Sequence, residues 1–183
     1  MRKAVIYLAD GAEECEALIT ADLLRRSGIE VTLAAVGESC SILGSHGIRI
    51  EADCLARDAG TDGADLLVLP GGMPGTLHLE ADPAVQQAIR HFAQEGKRIA
   101  AICAAPGILG RLGLLQGRKA TSYPGVQGDL RGAQVPEAEV VTDGNITTAR
   151  SLGSAIPFAL ELIRLLEGEA VSQRIREAIL YAH

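Results

Sequence analysis

Tryptophan is absent from this chain, aromatic residues make up only 3% of it, and no apolar run approaches the roughly 20 residues needed to cross a bilayer. Nor is there a cluster of lysines and arginines: the net charge is −6, which leaves no electrostatic footprint for nucleic acid or an anionic membrane surface. The four cysteines (Cys15, Cys40, Cys54, Cys103) form no C-x-x-C and no Cys/His pair at zinc-like spacing, so a structural metal is not expected. His46, His78, His91 and His183 also lack metal-ligand spacing and read as surface residues. Met1-Arg2-Lys3 leads into an apolar stretch too brief for a secretory leader, which points to the cytosol and to thiols rather than disulfides.

What is present is glycine, 21 residues of it, and a 48% hydrophobic composition over 183 residues, enough for one domain (1–183) with an ample core. Lys3 to Ala9 reads as a buried strand. A loop, Asp10-Gly11-Ala12-Glu13-Glu14, leads from it into a helix with Ala17, Leu18, Ala21 and Leu24 on one face, ended by Gly28. Glu30 to Val36 completes a βαβ unit, and residues 40–51, broken by Gly44 and Gly47, read as a small hairpin. Asp65 to Leu69 is a strand halted by Pro70-Gly71-Gly72, and Asp82-Pro83 caps a helix that turns Val85, Ile89 and Phe92 inward. Arg98 to Ile102 is a strand running straight into Cys103-Ala104-Ala105-Pro106 and a helical stretch over Gly107 to Leu115. Lys119 to Ser122, Glu139 to Thr142 and Asn145 to Ala149 read as short strands, the last two joined at Asp143-Gly144, and helices follow over Ser154 to Glu167 and residues 170–181. Strands alternating with helices predict a doubly wound α/β sheet.

In such a sheet ligands bind beyond the carboxyl ends of the strands, where Asp10 to Glu16, Pro70 to Gly75 and Cys103 to Pro106 all fall. A cysteine on a strand-to-helix turn is held outward at the positive end of a helix, like the nucleophile elbow of hydrolases without its flanking glycines. The thiolate is the reactive species, and a protonated carboxyl from the Glu13-Glu14-Cys15-Glu16 cluster is a natural donor to it. The amides of Gly72 and Ala104 are placed to receive a developing oxyanion. Each feature also has a plainer reading: a small core cysteine, carboxylates complementing a helix start, a glycine turn. Cys15, Cys40 and Cys54 read as structural or incidental.

Gly11-Ala12-Glu13-Glu14-Cys15-Glu16, Leu69-Pro70-Gly71-Gly72 and Ala100-Ala101-Ile102-Cys103-Ala104-Ala105-Pro106 resemble the ThiJ/PfpI superfamily, in the branch of DJ-one and its bacterial relative YajL, and the resemblance runs over essentially the whole chain. It implies a flavodoxin-like three-layer sandwich of the class I glutamine amidotransferase type, a homodimer, and neither metal nor organic cofactor. By the same resemblance Cys103 takes the place of the oxidation-sensitive nucleophile, Glu16 that of its protonated partner, and Gly72 and Ala104 the amide positions, with Gly71 and Tyr123 beside the pocket. The implied activity is glutathione-independent conversion of methylglyoxal-type oxoaldehydes, or their early adducts on proteins, to hydroxy acids. The alternative is a redox-sensing or chaperone-like role without significant turnover.

Three positions depart from the family pattern: Tyr123 stands where a histidine is usual, Ser151-Leu152-Gly153-Ser154 replaces Gly-Pro-Gly-Thr, and His46 falls near a usual arginine. A tyrosine does not titrate near neutrality, so proton transfer assisted by histidine is not expected here. A peptidase is disfavoured because Ala104, not histidine, follows the cysteine, and an amidotransferase because no His-x-Glu pair follows Cys103.

Overall fold

The computed structural model describes residues 1–182; His183 lies outside the described residues. A seven-stranded sheet runs in the order β5-β2-β1-β6-β7-β9-β8, formed by β1 (Lys3–Leu8), β2 (Glu30–Ala35), β5 (Cys54–Leu55), β6 (Leu66–Leu69), β7 (Arg98–Ile102), β8 (Val140–Asp143) and β9 (Ile146–Ala149). All neighbours pair in parallel except β8, which closes the edge antiparallel to β9 through a turn at residues 144–145. The 40–51 hairpin forms as β3 (Ser41–Leu43) and β4 (Arg49–Glu51), apart from the main sheet.

The central strands are apolar on both faces because both are covered, as parallel sheets require. Ile6, Leu8, Val68 and Ala100 pack under α1 (Glu14–Arg26) and α5 (Ala155–Glu167), with α6 (Glu169–Ala178) against α5. Tyr7, Leu67, Leu69 and Ala101 pack on the other face with residues of α3 (Pro83–Gln94) and α4 (Pro106–Arg111). Asp82 caps α3 as the sequence predicts, its Oδ1 accepting from the N–H groups of Ala84 and Val85. The result is a flavodoxin-like α/β sandwich.

Several local expectations change. Leu18, assigned to the inward face of α1, is exposed: Ala17, Ala21 and Leu24 make the buried stripe, and Leu18 falls outside it. The helix after Cys103 stops at Arg111 instead of Leu115, and Gly113 follows with positive φ. Residues 119–122 form no strand. Lys119 makes one bridge with Gln134, and the Thr121 N–H goes to the Thr148 hydroxyl, because β9 already carries β8 on its outer edge. A short helix, α2 (Gly75–Ala81), had no clear apolar period and was not foreseen. No helix among the described residues is long and apolar enough to cross a membrane.

Candidate active site

The strand order reverses direction on either side of β1, and the crevice this opens lies at the carboxyl ends of β1, β6 and β7. Three loops leave those ends and meet. The peptide of Gly71 stitches the first two: its N–H donates to Glu16 Oε2 at 2.9 Å, and its carbonyl accepts from the Glu13 N–H at 2.9 Å. A β-carbon at position 71 would stand 2.6 Å from Cys103 Cβ and 2.8 Å from Glu16 Oε2, so glycine is required there for close approach. Gly72 has φ of +89° and lies against the backbone of residues 11–13, where a side chain would collide with the Glu13 N–H.

Cys103 itself has φ of +64°, a left-handed conformation that non-glycine residues rarely hold. Its N–H donates to Ala149 O at 3.0 Å and its carbonyl accepts from the Tyr123 N–H at 2.8 Å. The end of β9 and the loop before Pro124 thus hold the strained residue on both sides. Strain of this kind, about 1–3 kcal/mol, persists only where surrounding structure over-determines it. The sulfur hydrogen-bonds the Glu16 carboxyl and lies within reach of the amides of Gly72 and Ala104.

Burial drives the Glu16 carboxyl up to about 7. Hydrogen bonds from the Gly71 and Leu152 amides and from Cys103 oppose the rise, while the Glu13 charge adds to it. Burial and the charge of Glu16, accepting from the thiol, push Cys103 up to about 12, against the pull of the Gly72 and Ala104 amides. This is opposite to the depression expected from a helix start. The physical reason is that α4 has only six residues, so its dipole is small, and a buried carboxylate next to the sulfur outweighs it. Two anions are not accommodated side by side in a dry site, so ionisation of either group opposes ionisation of the other. The amides of Gly72 and Ala104 favour leaving the charge on sulfur; that of Gly71 favours oxygen. Burial also raises the thiols of Cys15 and Cys54, with nearby carboxylates adding to it, and no backbone amide opposes the rise at either.

Glu14, two residues earlier and equally buried, points to the other side. Its Oε1 accepts from the His46 N–H at 2.7 Å and the Ile48 N–H at 3.4 Å, and its Oε2 lies 3.0 Å from His46 Nδ1. Burial raises this carboxyl too, but the hydrogen bonds outweigh it and bring it down to about 2. Glu13, Glu14 and His46 are the group of potential metal-ligand side chains found among the described residues. Both oxygens of Glu14 are already engaged by hairpin donors, so the carboxylate serves as a clasp on the β3–β4 turn. That role for Glu14 leaves no mark in the residues around it, because the donors come from a hairpin some thirty positions away.

Of the residues predicted for the site, Cys103, Glu16, Gly71, Gly72 and Ala104 converge. Tyr123 joins them through its backbone, and its side chain is half exposed. Leu152 departs from the family pattern, and its amide reaches Glu16; a backbone donor from a distant loop leaves no mark in composition.

A doubly wound sheet that presents a strained cysteine beside a buried carboxyl defines a class of cysteine-centred α/β proteins. The DJ-1/PfpI family model matches residues 2–165, and the chain belongs to that family. It is 36% identical to protein dj-1beta of Drosophila melanogaster over 184 aligned residues, covering 100% of this chain and 98% of the relative. It is 37% identical to a protein of Pyrococcus abyssi named a deglycase, over 90% of this chain and 99% of that one. Among solved structures, oxidized Toxoplasma gondii DJ-1 superposes with a TM-score of 0.96 at 35% identity, with both chains fully covered. A cysteine-to-alanine mutant of a DJ-1 superfamily protein from Salmonella typhimurium gives 0.94 at 36% identity, also over the full length of both chains.

Proposed function

We propose that the chain is a glutathione-independent enzyme acting on 2-oxoaldehydes, or on their early adducts with proteins, with Cys103 as nucleophile and Glu16 as the proton carrier. The observation that carries this reading is the hydrogen bond between the Glu16 carboxyl and the Cys103 thiol, along which a proton can pass, on a strained turn. When that proton sits on Glu16, the sulfur is a thiolate facing two amides, and it adds to the aldehyde carbon to give a hemithioacetal whose oxygen takes the proton. Glu16, now a carboxylate, removes the hydrogen from that carbon and returns it to the neighbouring ketone carbon through an enediol. The first carbon is thereby oxidised to a thioester and the second reduced to an alcohol. Water cleaves the thioester, releasing the hydroxy acid and the cysteine, so no external oxidant or reductant is consumed and no cofactor is called for. A hemithioacetal or aminocarbinol adduct first breaks its carbon–sulfur or carbon–nitrogen bond, releasing the protein's thiol or amine and the free aldehyde, which then follows the same path.

The test is lactate release from methylglyoxal by wild type, Cys103→Ser and Glu16→Gln. Wild-type turnover at least a hundredfold above both variants supports the reading; turnover no faster than theirs overturns it. A second reading, a redox sensor, draws support from the same donors, since Glu16 and the amides of Gly72 and Ala104 suit the oxygens of a sulfinate formed by two equivalents of peroxide. Mass spectrometry after mild peroxide separates the two: sulfinate confined to Cys103 without measurable turnover favours the sensor. A homodimer belongs to the proposal as well, supported by the apolar groove that Leu18, Leu23, Ile156 and Ile179 line between α1 and the C-terminal segment.

A further inference from the structure

The loops that converge on Cys103 carry three large side chains left about half exposed: Met73 at 55%, Tyr123 at 52% and Leu152 at 44%. Each is tied to the reacting groups through its main chain. Met73 follows Gly72, whose amide serves the sulfur; the Tyr123 N–H donates to the Cys103 carbonyl; the Leu152 amide reaches the Glu16 carboxyl. The tyrosine ring lies over Gly125, where an added β-carbon would stand 3.4 Å from Cε1. Polar side chains occupy another part of the surroundings, where Glu13 and His46 sit. Single exposed apolar residues are ordinary on a protein surface, but these three stand one on each of the three loops that build the site.

We infer that Met73, Tyr123 and Leu152 form an apolar rim that receives the substituent on the ketone carbon, so the preferred substrates are 2-oxoaldehydes bearing an aryl or branched alkyl group instead of a methyl. The inference rests on the oxoaldehyde reading above. With the aldehyde carbon bonded to Cys103, a methyl group ends one bond beyond the ketone carbon and stays within the polar site. A phenyl or isobutyl group continues outward and covers side chains that otherwise face water. The chemistry is unchanged: phenylglyoxal plus water gives mandelate, with the same internal transfer of hydrogen between the two carbons.

The experiment compares initial rates for phenylglyoxal, isobutylglyoxal and methylglyoxal in wild type and in the double variant Tyr123→Ser/Leu152→Ser, each checked by thermal melting. Intrinsic reactivity cancels when the ratio of kcat/KM for a large to the small substrate is compared between proteins. The rim predicts that this ratio falls about tenfold in the double variant, for the alkyl as well as the aryl substrate. If the double variant does not fold, Leu152→Ser and Met73→Ser alone carry the test, each with a smaller fall in the ratio. A ratio unchanged within about twofold overturns the inference while leaving the oxoaldehyde reading intact. So does an equal loss for all three substrates accompanied by a change in sedimentation, which reassigns the patch to a protein contact. Absence of turnover on all three by wild type defeats the underlying reading itself.

Discussion

The first turn of α1 has two sides that share burial and a helix end and differ in the groups they meet. Glu14 and Glu16 are each 1% exposed, both sit at the positive end of the same helix, and they are separated by one residue. On the hairpin side Glu14 takes hydrogen bonds from His46 and Ile48, and its carboxyl falls to about 2. On the sulfur side Glu16 meets two amides, an acidic hydrogen-bond partner and the charge of Glu13, and it rises to about 7. Depth of cover differs as well: Glu14 lies under a thin two-stranded flap, whereas Glu16 is enclosed by three loops. Burial alone therefore does not assign a role. The donors around a buried carboxyl decide whether it fastens a loop or moves a proton, as in other sites where neighbouring acids are driven apart.

The comparison breaks first at Glu16. Glu16→Gln keeps an acceptor for the Gly71 N–H but removes the proposed proton carrier, and turnover is expected to fall about 10²–10⁴-fold. The same variant should be more stable than wild type at pH 8. A carboxyl whose folded pKa is raised contributes stability below its unfolded value, and that contribution is lost as pH rises from about 4.5 through about 7. The advantage of Gln, on the order of 3 kcal/mol at most, should disappear in melts near pH 4.

Gly71→Ala tests the closeness of the two sides. The added carbon falls 2.6 Å from Cys103 Cβ and 2.8 Å from Glu16 Oε2, so activity should drop by about two orders of magnitude, and thiol-specific labelling of Cys103 should slow. Unaltered labelling would show that the loop yields.

Glu14→Gln should leave turnover far less affected than Glu16→Gln and destabilise the fold by about 2 kcal/mol, since charge-assisted bonds to backbone N–H groups are lost. The sign with pH is the reverse of that for Glu16: stability supplied by Glu14 is present above about pH 4.5 and disappears as pH falls towards 2, so acid unfolding of wild type and variant should converge there. Hydrogen exchange confined to residues 41–51 would locate the loss.

The smallest effect belongs to His46→Ala. The ring is exposed and its hydrogen bond to Glu14 raises its pKa, so its contribution is full in mild acid and fades as pH rises through the folded value. A small drop in Tm at pH 5.5 that vanishes at pH 9 is the expected result.

The apolar strands Leu66–Leu69 and Arg98–Ile102, the Asp82-Pro83 cap and the order of strands and helices follow from period and residue type, because covered parallel strands and helix starts have chemistry that is local in sequence. The position of Cys103 at the end of such a strand is local too. Where the reading failed, distance was the reason. Residues 119–122 have strand-like composition, but β8 holds the outer edge of β9; Leu18 is turned out by how α1 settles on α5.

By itself the sequence determined the architecture, the glycine turns and the identity of the cysteine, since each rests on neighbours a few residues apart. Only the tertiary structure decided which way Glu14 and Glu16 each titrate, that Glu14 fastens the hairpin, and that the Leu152 amide closes the same site from a loop far along the chain. The reason is physical: a pKa is set by the donors and charges gathered within a few ångströms, and those come from segments that folding alone brings together.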